Sequence, residues 1–475
     1  MLKTLHSAKT SKLIVSTLPA LLVCFLVMSP VAAAESVPVN LGTVENLSNS
    51  PNASTAPVVA AVNNFVYVAW EEKVPGSQHV TYFQTSNNYG VAGSWVMNMS
   101  FDMTGGASPQ TSAVQIAAEG KYVFLTWEQD NLTAYAISAD NGMTFTSGIF
   151  TIPSQYTGTM SGEAVSACGA WGYFTWSDIE TIGHSRPILF VSAHDTTGNG
   201  NFVFSTAKSL STTSSAHGED ENACSGPYVY AVWDSIYFTR STNNGVTWST
   251  VKQLKPSGGS GGSLSREPMI SASGPNVYVT FPSNATPTGQ YETFVVVSNN
   301  HGATFALAED ISINFMTNTR EVQVLASGAN VWITTRGKSM TVGGTQQYVY
   351  TSNNNGSTFS APILAGGSKL PNPENGFGGL AVNGTNVYVQ WIHNPPGKNF
   401  KGIQQIFLSA SQDSGNTFAS YQQLSQSTAG TIGYGDPSGG QGPQVAASGS
   451  HVYSVWIDLS SNAGDVLFVA STLAS

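Results

Sequence analysis

One short phrase, returning eight times along 475 residues, constrains this chain more than any other feature. It is a turn followed by alternating β-branched and aromatic residues, often ending in Trp. The copies are Val66 to Trp70, Val123 to Trp127, Tyr173 to Trp176, Val229 to Trp233, Val277 to Phe281, Val331 to Thr335, Val387 to Trp391 and Val452 to Trp456, spaced by 48 to 65 residues. Alternation with period two marks a β-strand, and a period of this length marks stacked supersecondary units around one core. A short apolar strand precedes the phrase, as at Pro57 to Val62 and Pro268 to Ala272. Another follows it, as at Val80 to Thr85 and Phe294 to Val297.

After that third strand comes a second phrase, cleanest as Ser138, Asp140, Gly142, Thr144, Phe145. Asn243, Asn300, Asn354 and Asp413 take the place of Asp140 in four further copies, Ser86 to Trp95 is a stretched copy and Ser192 to Phe202 a degraded one. Such a phrase staples a hairpin: the Asp or Asn accepts backbone N–H bonds, Gly takes the positive φ, hydroxyls add bonds and the ring tucks under a neighbouring strand. Three strands, this turn and a fourth strand make a unit of about 55 residues, the size of a propeller blade. One blade cannot bury both its faces, so blades stack until a ring closes. The eighth unit ends after its third strand, Val466 to Ser471, and Val37 to Leu47 is the candidate for its missing outer strand. The expectation is an all-β propeller of eight four-stranded blades over residues 35–475, closed by the N-terminal strand. Seven blades is the alternative, if the unit with Phe281 or Thr335 is irregular. The stretches Leu370 to Phe377 and Ser257 to Ser263 read as loops between blades.

The second phrase resembles the Asp-box, or bacterial neuraminidase repeat (BNR), of the sialidase superfamily, and the resemblance covers nearly all of residues 35–475. It implies a propeller whose boxes lie away from the ligand face. It occurs in sialidases, in other glycan-processing enzymes and in non-catalytic propellers, so it implies a fold more than an activity. Sialidases with this repeat clamp a carboxylate with three arginines, the first in a Phe-Arg-Ile-Pro phrase, and use a Tyr paired with Glu as nucleophile and an Asp as acid and base. Ser265, Arg266, Glu267, Pro268 keeps the Arg and the Pro of that phrase. Arg266, Arg320 and Arg336 supply three arginines by count, and no Tyr and Glu pair can be assigned.

Charged residues are 9% of the chain and the net charge is −10. There is no basic stripe of the kind nucleic acid requires. Lys3, Lys9 and Lys12, an apolar run from Leu13 to Met28, and Ala32 to Ala34 form the order of a secretory signal peptide, with cleavage expected after Ala34. The expected location is secreted or cell-surface, with no membrane span after cleavage. Cleavage removes Cys24 and leaves Cys168 and Cys224, in matching contexts of neighbouring units, as a candidate disulfide.

Aligned on their inner strands, four consecutive units place Glu163, Glu219, Glu267 and Glu321 at the entry to the first strand, with Arg266 and Arg320 preceding two of them. Inner strands ring the axis of a propeller, so these six residues are the candidate ligand site at one mouth of the channel. Carboxylates there accept sugar hydroxyls and arginines grip an acid group. The expected partner is a carbohydrate or glycoprotein ligand. The alternative is hydrolysis, with Glu267 and Glu321 as candidate catalytic carboxylates, and a third reading has these residues joining adjacent blades. No metal ligand set is assigned and no cofactor is expected. The acidic patch of His217, Glu219, Asp220 and Glu221 leaves Ca²⁺ open. The second-strand aromatics are read as core.

Overall fold

The structure, a computed structural model, describes residues 38–74, 78–101, 111–154, 156, 159–179, 187–211, 220–254, 256, 265, 267–340, 344–365, 374–394, 404–426, 444–460 and 464–474. It is a β-propeller of eight antiparallel blades, and among the described residues one short 3-10 turn, Asp234–Ile236, is the sole helical element. The innermost strands are Ala53–Val62, Thr111–Glu119, Thr159–Cys168, Asp220–Ser225, Met269–Ser273, Met316–Ser327, Glu374–Asn383 and Gln444–Ser448. Each packs on the next in chain order and the eighth packs on the first. Blades six and seven share one sheet through a parallel bridge between Thr345 and Glu374. Of the two stretches expected as loops, Ser257 to Ser263 lies outside the described residues. Leu370 to Phe377 is not all loop, because the first strand of blade seven starts at Glu374.

Closure uses the N-terminal segment, in two short pieces. Val39 and Asn40 pair with Leu473 and Thr472, and Glu45 and Asn46 pair with Phe468 and Leu467. The last blade therefore contains both ends of the domain, so opening the ring requires breaking that sheet as well as an inter-blade core.

Apolar packing explains why the blades associate. The eight described hydrophobic clusters each join two consecutive blades. Val58 and Tyr67 pack with Val123 and Trp127, for example, and Val66 and Trp70 pack with Tyr453 and Phe468 across the closing seam. Trp70, Trp127, Trp176, Trp233, Trp391 and Trp456 are at most 1% exposed. A buried aromatic of this size removes about 150–250 Å² from water, worth roughly 4–6 kcal/mol at about 25 cal/mol per Å². These rings are core and not sugar platforms.

The boxes form as their chemistry dictates. Ser138 Oγ accepts the Gly142 N–H at 2.9 Å, while Asp140 Oδ1 accepts the Thr144 N–H at 2.9 Å and Oδ2 the Thr144 hydroxyl at 2.6 Å. Asp413 repeats the pattern with Thr417, and Asn243, Asn300 and Asn354 accept the N–H groups of Thr247, Thr304 and Thr358. Burial pushes the Asp140 carboxyl upward, but bonds from Thr144, Ser138 and Met143 hold it below the usual range. Each box seats on the preceding blade: Phe145 meets Phe83 edge-on at 4.9 Å, Trp248 meets Phe190 at 4.8 Å and Phe305 meets Phe238 at 4.8 Å. In the stretched copy Ser86 Oγ accepts the Gly90 N–H and Trp95 rests on Phe468 across the seam. In the degraded copy Asp195 takes over, accepting the N–H groups of Thr197, Gly198 and Gly200.

A bulged mouth with an acidic and a basic half

The register of the innermost strands builds the mouth. In blade one Thr55 pairs with Glu71 and Val58 with Ala69, so Ala56 and Pro57 together oppose Trp70. The same two-for-one bulge occurs in blade two opposite Trp127, in blade three opposite Trp176 and in blade six opposite Thr335. Its first residue is left-handed at Ala56, φ 51°, at Gly162, 71°, and at Glu321, 53°, and so is Glu267, 49°, in the matching place of blade five. Left-handed backbone at a residue with a side chain is strained, and bulges re-aim side chains. The boxes lie past the far end of the third strands, so they occupy the opposite face.

This register corrects the sequence alignment. Gly162, not Glu163, is the equivalent of Glu267 and Glu321, and Glu163 falls on the second bulge position with Asp220. That position is a buried one, filled by Pro57, Val114, Pro268 and Val322 in other blades. A shift of one residue sends a side chain to the other face of the strand. Glu163 therefore points into the ring and not with the other candidates. Glu219 and Arg266 lie outside the described residues.

The candidates fall into two groups. Glu163 is 7% exposed, and burial lifts its carboxyl well above the usual range, helped by the charges of Glu128, Asp220 and Glu71. Its Oε1 has no hydrogen-bond partner among the described residues. Asp220 is 4% exposed and also raised, by burial first and then by Glu221. Burial likewise pushes the partly buried Glu221 up to about 7. Blades three and four thus present buried carboxyls that hold their protons more tightly than free ones, facing Glu71 and Glu128 of blades one and two.

Blades five and six present the basic half. Arg336 Nη2 donates to Glu321 Oε1 at 2.6 Å. Burial pushes Glu321 up to about 7 against the pull of Arg336 and Arg320, and Glu267 on the neighbouring blade adds to the rise. Arg320, exposed, lays its guanidinium over the Tyr291 ring at 5.2 Å from the centroid, and the Thr319 N–H donates to the Tyr291 carbonyl at 3.0 Å. Glu267 is anchored through its backbone N–H, which donates to Asp234 Oδ1 at 3.2 Å. An exposed guanidinium beside an aromatic face and two carboxylates can bind a sugar acid together with its hydroxyls.

Several of these residues escaped the sequence reading. Glu71, Glu128 and Asp234 directly follow a second-strand Trp and Asp178 follows one by two positions. An acid in that place in four successive units was a legible signal. Tyr291 had none, because its role depends on a loop of blade five reaching blade six.

At the other end of the inner strands Cys168 and Cys224 are disulfide-bonded, with Cα atoms 6.2 Å apart. Among the described residues no three of His, Cys, Asp and Glu are grouped so as to hold a metal ion. His217 and Glu219 of the acidic patch lie outside those residues. No described helix is long and apolar enough to cross a membrane.

Residues 215–446 match a family model described as a BNR repeat-like domain. No curated protein matches the chain. Among solved structures it is similar to a phage phi92 endosialidase, at 10% identity over 91% of this chain and 69% of that one, with a TM-score of 0.42. It is also similar to a Trypanosoma rangeli sialidase in complex with the inhibitor DANA, at 12% identity over 88% of this chain, with a TM-score of 0.37. This chain spans 55% of that sialidase's length. An exo-1,5-alpha-L-arabinanase from a bovine ruminal metagenomic library shares 13% identity over 50% of this chain and 91% of its own, with a TM-score of 0.31. With eight blades, the boxes between them and a BNR repeat-like match over residues 215–446, the chain is a β-propeller built from Asp-box repeats.

Proposed function

We propose that this protein is an exported propeller, freed of residues 1–34 as a signal peptide, that binds acidic glycans at the bulged mouth of its channel. The observation that carries the reading is the exposed Arg320 guanidinium on the Tyr291 ring, backed by the Glu321–Arg336 pair and Glu267. The arginine takes the acid group of the sugar, the ring takes an apolar sugar face, and the carboxylates accept hydroxyls. Strained backbone at Glu267 and Glu321 holds the two side chains in place before ligand arrives.

One observation favours a second reading, a sialidase-like hydrolase. Burial, and then the charge of Glu128, raise the proton affinity of Glu163, which is how a general acid is prepared for glycosidic cleavage. An array of acidic and neutral oligosaccharides probed with the full chain, followed by a fluorogenic sialoside assay, separates the two. Binding that Arg320→Ala weakens by at least about tenfold, without turnover, supports the binding module. Turnover lost in Glu163→Gln with binding kept supports the hydrolase. Absence of both, or binding indifferent to Arg320→Ala, refutes the proposal.

A further inference from the structure

The closing strand creates a second concavity, away from the axis. Between its two paired pieces, residues 41–44 leave the ladder. Gly42 makes this route possible, because a Cβ there would stand 2.0 Å from the Ala470 carbonyl oxygen. Beside the gap lies a pocket of about 460 Å³ between blades seven and eight, within the roughly 300–1,000 Å³ typical of small-molecule sites. Val44, Leu424 and Leu467 give it an apolar wall. Gln426, Asp458 and Ser460 give it polar atoms.

Two of its groups point to a ligand. Trp456, 1% exposed, lines the pocket, and its indole Nε1–H has no hydrogen-bond partner among the described residues. Leaving such a donor buried and unsatisfied costs about 1–3 kcal/mol, a cost that an acceptor in the pocket removes. Asp458, 6% exposed, accepts the Ser460 N–H through Oδ1 at 2.7 Å, which aims the carboxylate and leaves Oδ2 for another donor. Among the described residues no basic side chain lines the pocket, and the Asp458 carboxylate disfavours an anion there. An N–H donor, a carboxylate acceptor, an amide and a hydroxyl against an apolar wall are the complement of a ring bearing vicinal hydroxyls.

We propose that the pocket between blades seven and eight is a second binding site, taking a neutral monosaccharide through Trp456, Asp458 and Gln426. It is independent of the mouth, since the site shares none of the residues assigned there. Saturation-transfer NMR on the full chain, with methyl glycosides of glucose, galactose and mannose as separate probes, tests it. At least one glycoside binds, and both Asp458→Ala and Val44→Trp weaken it by at least about tenfold, while Arg320→Ala leaves it unchanged. Val44 is 41% exposed, so its replacement fills the pocket from the surface without disturbing the core. No transfer from any of the three up to about 50 mM overturns the proposal, a concentration at which even weak sugar sites saturate. So does binding that survives both pocket variants, binding that Arg320→Ala abolishes, or glucuronate binding as well as the neutral sugars.

Discussion

Replacing Glu221 by Gln should make the fold more stable in alkali while changing little in acid. Glu221 pairs with Val232, one residue before Trp233, as Val58 pairs with Ala69 one residue before Trp70. Val58 fills the core between blades one and two, so Glu221 carries a carboxyl where blade one carries an isopropyl group. Burial there lifts it from 4.5 to about 7. From pH 4.5 upward the unfolded chain releases this proton, while the folded chain keeps it until pH passes about 7. The group's contribution is thus fully present below pH 4.5 and lost by about pH 8. A displacement of this size is worth about 3 kcal/mol at most, and the water that reaches this partly buried side chain reduces it. Spread over the unfolding entropy of a domain of roughly 440 residues, that is about 3 °C in Tm. Differential scanning fluorimetry of both proteins from pH 4.5 to 8.5 measures it. Titrating groups that Glu221 does not touch cancel in the difference, and Asp220, raised in part by the Glu221 charge, is eased in the variant, which adds to the alkaline gain. The Tm gap should be well under about 1 °C at pH 4.5 and favour the variant by about 2–3 °C at pH 8.5. A gap that is constant with pH, or that favours the wild type in alkali, refutes the argument.

Three other perturbations have defined outcomes. Reducing or replacing the Cys168–Cys224 bridge, which closes a loop of 56 residues, should cost about 4 kcal/mol by loop entropy, read as a lower Tm by calorimetry. Gly245→Ala places a methyl 2.4 Å from the Phe190 ring at a φ of +82°, and should cost about 2–3 kcal/mol in chemical denaturation. Deleting Val39 to Asn46 removes both closing pairs, and limited proteolysis should then cut the strand Asp465–Leu473 first, since its outer edge is left open.

Fold and site were unequally legible in this chain. The propeller could be read from Trp70, Trp127 and their six counterparts, because a strand's alternation and a box's turn chemistry are local properties that repeat at the blade period. The N-terminal closing strand could be read as well, from the absence of a fourth strand after Ser471. The carboxylate arc was legible only in part. Its alignment grouped Glu163 with Glu267 and Glu321, but within the bulge that the blades share Gly162 takes their place, so Glu163 falls one position later, near Glu128 and Asp220.

What the sequence alone determined, then, is the unit, the number of units and the way the ring closes. Each follows from short-range patterning, and one face per blade must be buried. Tertiary structure alone decided which carboxyls share a buried cluster, that Arg320 rests on Tyr291 of another blade, and that Gly42 carries the closing strand past Ala470 to leave a pocket. These depend on bulges of a single residue and on contacts between neighbouring blades, and no periodicity along one strand encodes either.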